Sequence, residues 1–471
     1  MISRRKLLQY SGAFSATLPF GPYVYGASAR KKYDVIIIGA GLSGLNAAMH
    51  LQEDGLDVLI LEAADRIGGR MYTLDHIDGK PEAGGLQVGP MYARLRTLSD
   101  ELSVGMDPFM PGPKGMTIDY QGAQTRLKNW AKWDQNPLSD PEKKTLPFGF
   151  LRTLLGRQNP LAELDSWTEQ EALKLDIPLS DLADQKNLSE QARQMMQVSL
   201  QGDDLSDISA LGEYRKARIL QFEQGNGPSH KVRGGSSRLP EAMARTLTTP
   251  VVLNKKVQKI SQNGATCTVT CADNSAYQAA HVICSLPFSV LREITFDPLP
   301  PALQKQCIQE MPYLPVTSVF MKPTKAFWAG TDLPPMIWSD GPIERVFPLT
   351  SETGEVTTLW CLINGNAGRV FDALPAAEQQ ALITKEMARI LPASQGNISI
   401  EHIHSWTQHP YARGAWAYWQ PGQISAFGAT FRNPHGRVHF AGEHTAIFAA
   451  GMEGALESGE RAAWEILDKE T

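Results

Sequence analysis

Asp34–Ala48 reads DVIIIGAGLSGLNAA, and the fold is decided there. Val35–Ile38 is a short apolar run, the mark of a strand buried on both faces. Gly39, Gly41 and Gly44 follow as G-x-G-x-x-G. The first permits a tight turn, the second lets the backbone approach a pyrophosphate, and the third lets a helix pack close to the strand. A helix opening at this point aims its N-terminal N–H groups and its dipole at phosphates. A second apolar run, Val58–Leu61, ends at Glu62, which is 62 − 44 = 18 residues past Gly44. That is close to the spacing of about 20 expected for an acid that accepts hydrogen bonds from an adenosine ribose. The expected fold class is therefore α/β, with a Rossmann-like dinucleotide-binding domain.

Two further stretches narrow the nucleotide to FAD. Leu61–Arg70 reads LEAADRIGGR, placing Arg66, Gly68, Gly69 and Arg70 just after the ribose acid. An NAD site does not require this second glycine turn, whereas the turn can cradle the same pyrophosphate with Arg70 as counter-charge. Near the other end, Phe440–Ala463 reads FAGEHTAIFAAGMEGALESGERAA. Together the two ends describe one flavin site.

On these motifs the chain resembles the flavin-containing amine oxidase family, which includes monoamine, polyamine and L-amino acid oxidases. The matching stretches run from about Tyr33 to Leu102, Lys231 to Pro298, Val316 to Trp328 and His404 to Leu467. The resemblance implies an FAD-binding domain interleaved with a substrate domain of mixed sheet and helices. Beside Gly39, Gly41, Gly44, Glu62, Gly69 and Arg70, it assigns Gly85, Leu86 and Trp406 to the cofactor. It places Gly442 and Glu443 at the ribityl-phosphate part, the Met452 N–H at the isoalloxazine carbonyl and the Val257 backbone at the adenine. Ala415 stands where some relatives carry a tethering cysteine, so FAD is expected to be non-covalent.

The same resemblance locates a substrate pocket. Trp416 falls on one of two aromatic positions that hold the substrate amine in relatives, and the second is occupied by Gly451. Ser318, beside Thr317, stands where many members place a lysine near the flavin N5. Gln87 replaces an arginine that holds the substrate carboxylate in venom-type L-amino acid oxidases; it can hydrogen-bond but cannot form a bidentate ion pair. Arg94 matches an arginine common in the family and is read as structural. His444 is read as packing, and His402 and His404 as strand histidines without a third ligand, so no metal is expected. The first expectation is oxidation of an L-amino acid to an imine, hydrolysed to a 2-oxo acid and ammonia, with oxygen reduced to hydrogen peroxide. The alternative is an oxidase or dehydrogenase for a primary, secondary or cyclic amine that is not an amino acid, with a protein or quinone as another acceptor. A flavin-stabilised binding protein without turnover is the reading from a different class.

Composition agrees with a large enzyme: 471 residues, 42% of them apolar, with a formal charge of −5 that gives no reason to expect nucleic acid as a partner. Five cysteines include no C-x-x-C pair. Cys267 and Cys271 share one face of an alternating stretch and are read as half-buried strand residues, with a bridge left open. Ser3–Leu8 (SRRKLL) resembles a twin-arginine export motif, and Ala27–Ala29 an A-x-A cleavage site. Residues 1–29 are thus expected to be a removable leader, making the protein periplasmic or secreted. Expected boundaries are 30–90, 231–297 and 430–471 for the FAD domain, and 91–230 and 298–429 for the substrate domain, helical over about 140–230. Ser166–Glu169 reads as a capping box opening a helix. A homodimer is compatible with all of this.

Overall fold

In the computed structural model the described residues are 32–109, 115–200, 202–224, 226–351 and 353–470. The expected leader lies outside them. The apolar run at the start becomes the strand Lys32–Ile38, parallel to Val58–Leu61 on one side and to Ala276–Cys284 on the other. Beyond that the sheet continues through Thr266–Cys271, Val257–Asn263 and Thr295–Asp297, and Val438–Phe440 adds a parallel strand beside Ala276–Cys284. Three separated parts of the chain therefore build one sheet. Val35 and Ile37 enter one apolar core and Ile36 and Ile38 another, as period-two side chains of a doubly covered strand do.

The helix Leu42–Glu53 follows the glycine turn directly and packs against the C-terminal helix Gly451–Glu470. Their approach is close. A Cβ on Gly459 would lie 2.2 Å from the Ser43 carbonyl oxygen, and Asn46 Nδ2 donates to the Leu456 carbonyl at 2.9 Å. This contact joins the two fingerprints across more than 400 residues of sequence (456 − 46 = 410).

A second sheet runs in the order Ile398–Ser405, Val316–Pro323, Val356–Asn364, Arg345–Thr350, Ile337–Ser339, Thr117–Tyr120 and Ala123–Arg126. One of its faces is covered: Val319, Val346, Cys361 and Ile363 pack with Ile383, Met387 and Ile390 of the helix Ala376–Ile390. The other face opens on a large cavity, described below. Thr117–Tyr120 and Ala123–Arg126, two of these strands, fall in a part of the substrate domain where the sequence analysis names no element. Thr117–Tyr120 is buried at every position and Ala123–Arg126 at one, so neither shows an in-out alternation.

Two local expectations are corrected. Ser166–Thr168 is a single 3-10 turn rather than a helix start: the Ser166 hydroxyl accepts from the Glu163 N–H behind it, not from a helical N–H ahead. Cys267 and Cys271 lie on one strand with both thiols free, and they are buried rather than half-buried.

Candidate active site

A cavity of about 2010 Å³ runs between the two sheets. A small-molecule pocket is typically about 300–1,000 Å³, so there is room for a large cofactor and a substrate together. Its nucleotide end is built by close backbone approach. Gly41 precedes the first helix with extended backbone and no side-chain cap, and a Cβ there would meet nothing within 4 Å. The helix N-terminus thus faces open space, as a pyrophosphate requires. The second glycine turn lies against the first: Gly68 N donates to the Ala40 carbonyl at 2.8 Å, and a Cβ on Gly69, at φ +56°, would come within 3.3 Å of Gly41 Cα. Gly44 alone among the expected cofactor residues does not line the cavity. A Cβ there would sit 2.1 Å from the Gly39 carbonyl oxygen, so its role is packing of helix on strand.

Glu62 lines the same end, buried. Its carboxylate accepts from Ala40 N at 2.7 Å and Ala64 N at 2.8 Å. Burial pushes its carboxyl up from the ordinary range, and these two N–H groups oppose that. Val257 lies beside it, since Lys255 N donates to the Glu62 carbonyl at 2.8 Å and both Lys256 and Val257 line the cavity.

Further along, Arg70 and Glu443 meet each other. Arg70 Nη1 donates to Glu443 Oε1 at 3.0 Å and to the Ala415 carbonyl at 2.6 Å, and Ala417 N donates to the same Glu443 oxygen at 3.1 Å. A residue from each terminal fingerprint is thereby locked to the segment that carries Trp416. Gly84 and Gly85 permit a third close approach. A Cβ on Gly84 would lie 1.8 Å from the Arg70 carbonyl oxygen, and one on Gly85 would lie 2.6 Å from Met452 Sδ. Leu86, Gly442 and Met452 line the cavity there, and so does Trp406, whose indole N–H donates to the Ala83 carbonyl at 2.7 Å.

The substrate end is made by the open face of the second sheet. Thr358, Trp360 and Leu362, at a period of two on one strand, line the cavity with Phe347 and Leu349 from the neighbouring strand. Trp360 and Phe347 face each other with ring centroids 5.4 Å apart. Ser318 is buried, and its hydroxyl accepts from Trp360 Nε1 at 3.0 Å. The place expected for a lysine therefore holds an indole and its acceptor. Trp416 and Gly451 line the same cavity, and the buried Trp416 Nε1–H has no partner among the described residues. Gln87 is exposed at the cavity wall, its amide donating to Ser229 Oγ at 2.7 Å.

The histidines pack against other rings. His444 is buried against the Phe288 ring at 4.2 Å, and burial with Arg70 nearby holds its imidazole far below the usual range, hence neutral. His402 and His404 stack at 6.0 Å, and burial pushes His404 down to about 3. Arg94 does not line the cavity, and its Nε donates to Glu460 at 2.6 Å.

Several residues that shape the site had no signal in the motifs. Glu457 accepts from the backbone N–H groups of Ile447, Phe448 and Ala449, fixing the loop that leads into Gly451. Arg215 holds the same loop through the Ala446 and Ala449 carbonyls, 2.9 and 2.8 Å away. Tyr92, Trp360 and Phe347 line the cavity as well, though no motif gave these residues a role.

Comparison with known proteins agrees with this geometry. The family described as flavin containing amine oxidoreductase matches residues 42–467. The chain is 29% identical to the flavin-containing amine oxidase A of Bos taurus, over 94% of this chain and 86% of the relative. It is 28% identical to the human flavin-containing amine oxidase B, over 93% and 86%. Among solved structures, a putrescine oxidase bound to putrescine superposes with a TM-score of 0.77 at 26% identity, covering 93% of this chain and 99% of that one. The cyclohexylamine oxidase of Brevibacterium oxydans does so at 0.79 and 25%, with the same coverage. A family match of this extent makes the chain a member of the flavin-containing amine oxidoreductases, and its cofactor is FAD.

Proposed function

We propose that this flavin-containing amine oxidoreductase oxidises a small amine with an apolar body and no carboxylate, using oxygen as acceptor. The observation that carries the reading is the part of the cavity wall that the second sheet contributes: Phe347, Leu349, Thr358, Trp360 and Leu362 include no cation, and the lysines and arginines that line the cavity come from other segments. A buried carboxylate without a partner costs several kcal/mol or more. Gln87 does not repair this, being uncharged and engaged with Ser229. The amine therefore replaces the L-amino acid as the first reading. Putrescine and cyclohexylamine, the amines named for the two structural relatives, also lack a carboxylate. Of the two, the apolar wall suits a cyclohexylamine-like monoamine better than a second ammonium.

The chain's part in the reaction is placement and desolvation. Apolar side chains around the amine disfavour its charged form, leaving a lone pair to assist C–H cleavage. Trp416 supplies one face of the pocket and orients the reacting carbon. When bound, FAD supplies the two-electron acceptor. Overall the amine becomes an imine, water converts that to a carbonyl compound and ammonia, and oxygen becomes hydrogen peroxide. Ala415 offers no thiol, so we hold the cofactor to be non-covalent, in contact with the glycine turns, Glu62, Arg70, Val257, Trp406, Gly442, Glu443 and Met452. Export by the twin-arginine route remains our proposal from Ser3–Leu8; replacing Arg4 and Arg5 by lysine should retain the protein in the cytoplasm.

The test is the anaerobic spectrum of the yellow protein mixed with apolar monoamines or with L-amino acids, then aerated. Bleaching by monoamines with peroxide on aeration is expected. Bleaching by L-amino acids alone would overturn the reading, and a reduced flavin that persists in air would move it to a dehydrogenase.

A further inference from the structure

We propose that Tyr92 replaces the aromatic wall missing at Gly451 and holds the substrate nitrogen through its hydroxyl; this rests on the amine reading above. Gly451 cannot itself carry the wall. Its φ of +57° is a conformation that side chains rarely adopt. An ideal Cβ built there would lie 3.3 Å from Tyr92 Oη, so the phenol reaches the space that a side chain at 451 would enter. Tyr92 also lines the cavity, and its hydroxyl has no hydrogen-bond partner among the described residues.

Tyr92 is held in that place by the helix that Gly451 opens. It stands just before the helix Ala93–Glu101. The carboxylate of Glu453, buried two residues after Gly451, accepts from Arg94 N at 2.9 Å and Leu95 N at 3.1 Å. These are N–H groups of the first helical turn, which have no partner within the helix itself. Arg94 adds its bond to Glu460 about two turns further along the same C-terminal helix. The phenol and Gly451 are therefore parts of one rigid joint. Such a joint gives an aromatic wall the fixed geometry that orienting an amine requires.

The hydroxyl decides what this wall recognises. Burial, with Glu223 and Glu453 nearby, pushes the phenol up to about 12, so it stays neutral. A neutral phenol oxygen accepts an N–H from an amine and does not serve as a base. Tyr92 is thus a specificity and positioning group for amines that carry at least one N–H.

The experiment is stopped-flow anaerobic flavin reduction with cyclohexylamine as the probe, comparing wild type, Y92F and Y92A. Y92F keeps the ring and should raise the apparent Kd about five- to tenfold, the effect of one lost hydrogen bond. Its limiting reduction rate should stay within about threefold of wild type, with FAD content and Tm unchanged. Y92A should lose affinity further and also slow reduction. A Y92F enzyme with wild-type Kd overturns the proposal while leaving the amine reading intact, and so does loss of FAD in Y92F, which would make Tyr92 a packing residue. A wild-type flavin that cyclohexylamine and the other monoamines fail to bleach overturns both.

Discussion

The two ends of the cavity are made in different ways. The nucleotide end is built from backbone: glycine turns at Gly39–Gly44, Gly68–Gly69 and Gly84–Gly85 stack within contact of one another, and Cβ atoms would fill the gaps. The amine end is built from side chains on one face of a sheet, with an indole, a phenyl ring and aliphatic groups in the wall. At Gly44, Gly68 and Gly84 backbone approach tolerates almost no variation, because a single methyl group collides with a carbonyl oxygen. A side-chain wall can be repacked, and this is where Gly451 and Ser318 differ from the pattern expected of relatives. The difference teaches that the nucleotide end is fixed by which positions lack a Cβ, while the other end is shaped by which side chains meet there.

That contrast can be broken by mutation, and the largest effect should come at the rigid end. Gly44→Ala puts a Cβ 2.1 Å from the Gly39 carbonyl oxygen. The helix must shift, at a cost on the order of 3–5 kcal/mol, and the purified protein should be colourless or unfolded. A yellow Gly44→Ala protein with normal Tm would refute the backbone account. Next comes Trp416→Ala at the amine end. It should keep FAD, read as flavin absorbance per protein, yet lower the anaerobic reduction rate about ten- to a hundredfold through lost orientation. Equal loss of FAD would erase the division between the two ends.

Smaller effects sharpen the comparison. Ser318→Ala removes the acceptor of Trp360 Nε1, a buried bond worth roughly 1 kcal/mol. Steady-state kcat/KM for a monoamine should fall by about fivefold, with little change in FAD content. The smallest expected effect is a pH dependence remote from the flavin. Burial pushes Glu344 up to about 7, against the pull of Arg345 beside it. The folded state then holds a proton that the unfolded state has released, so this group's contribution to stability is full below the ordinary value of 4.5 and declines as pH rises toward 7. In Glu344→Gln the Tm measured between those pH values should lose that downward slope; an unchanged slope would assign it elsewhere.

Much of the nucleotide end was legible because its requirements are local. A strand, a glycine turn, a helix and an acid 18 residues on are all short-range consequences of residue type, and their order forces the parallel pair Lys32–Ile38 and Val58–Leu61. The terminal fingerprint was legible as wording, but its joining to the first depends on Gly459 meeting Ser43 and on Arg70 meeting Glu443. The amine end was scarcely legible. Thr358, Trp360 and Leu362 alternate as any half-buried strand does, and period alone cannot say whether the open face meets solvent, a helix or a cavity.

By itself, then, the sequence determined the dinucleotide fold, the flavin and the residues of the glycine turns, since backbone conformation and close approach follow from which positions lack a Cβ. Only the tertiary structure decided that Tyr92 reaches the empty place at Gly451, that Ser318 holds an indole, and that among the described residues the second sheet lines the cavity without a cation. Those facts depend on side chains distant in sequence meeting in space, and such meetings are set by packing of whole elements rather than by any local preference.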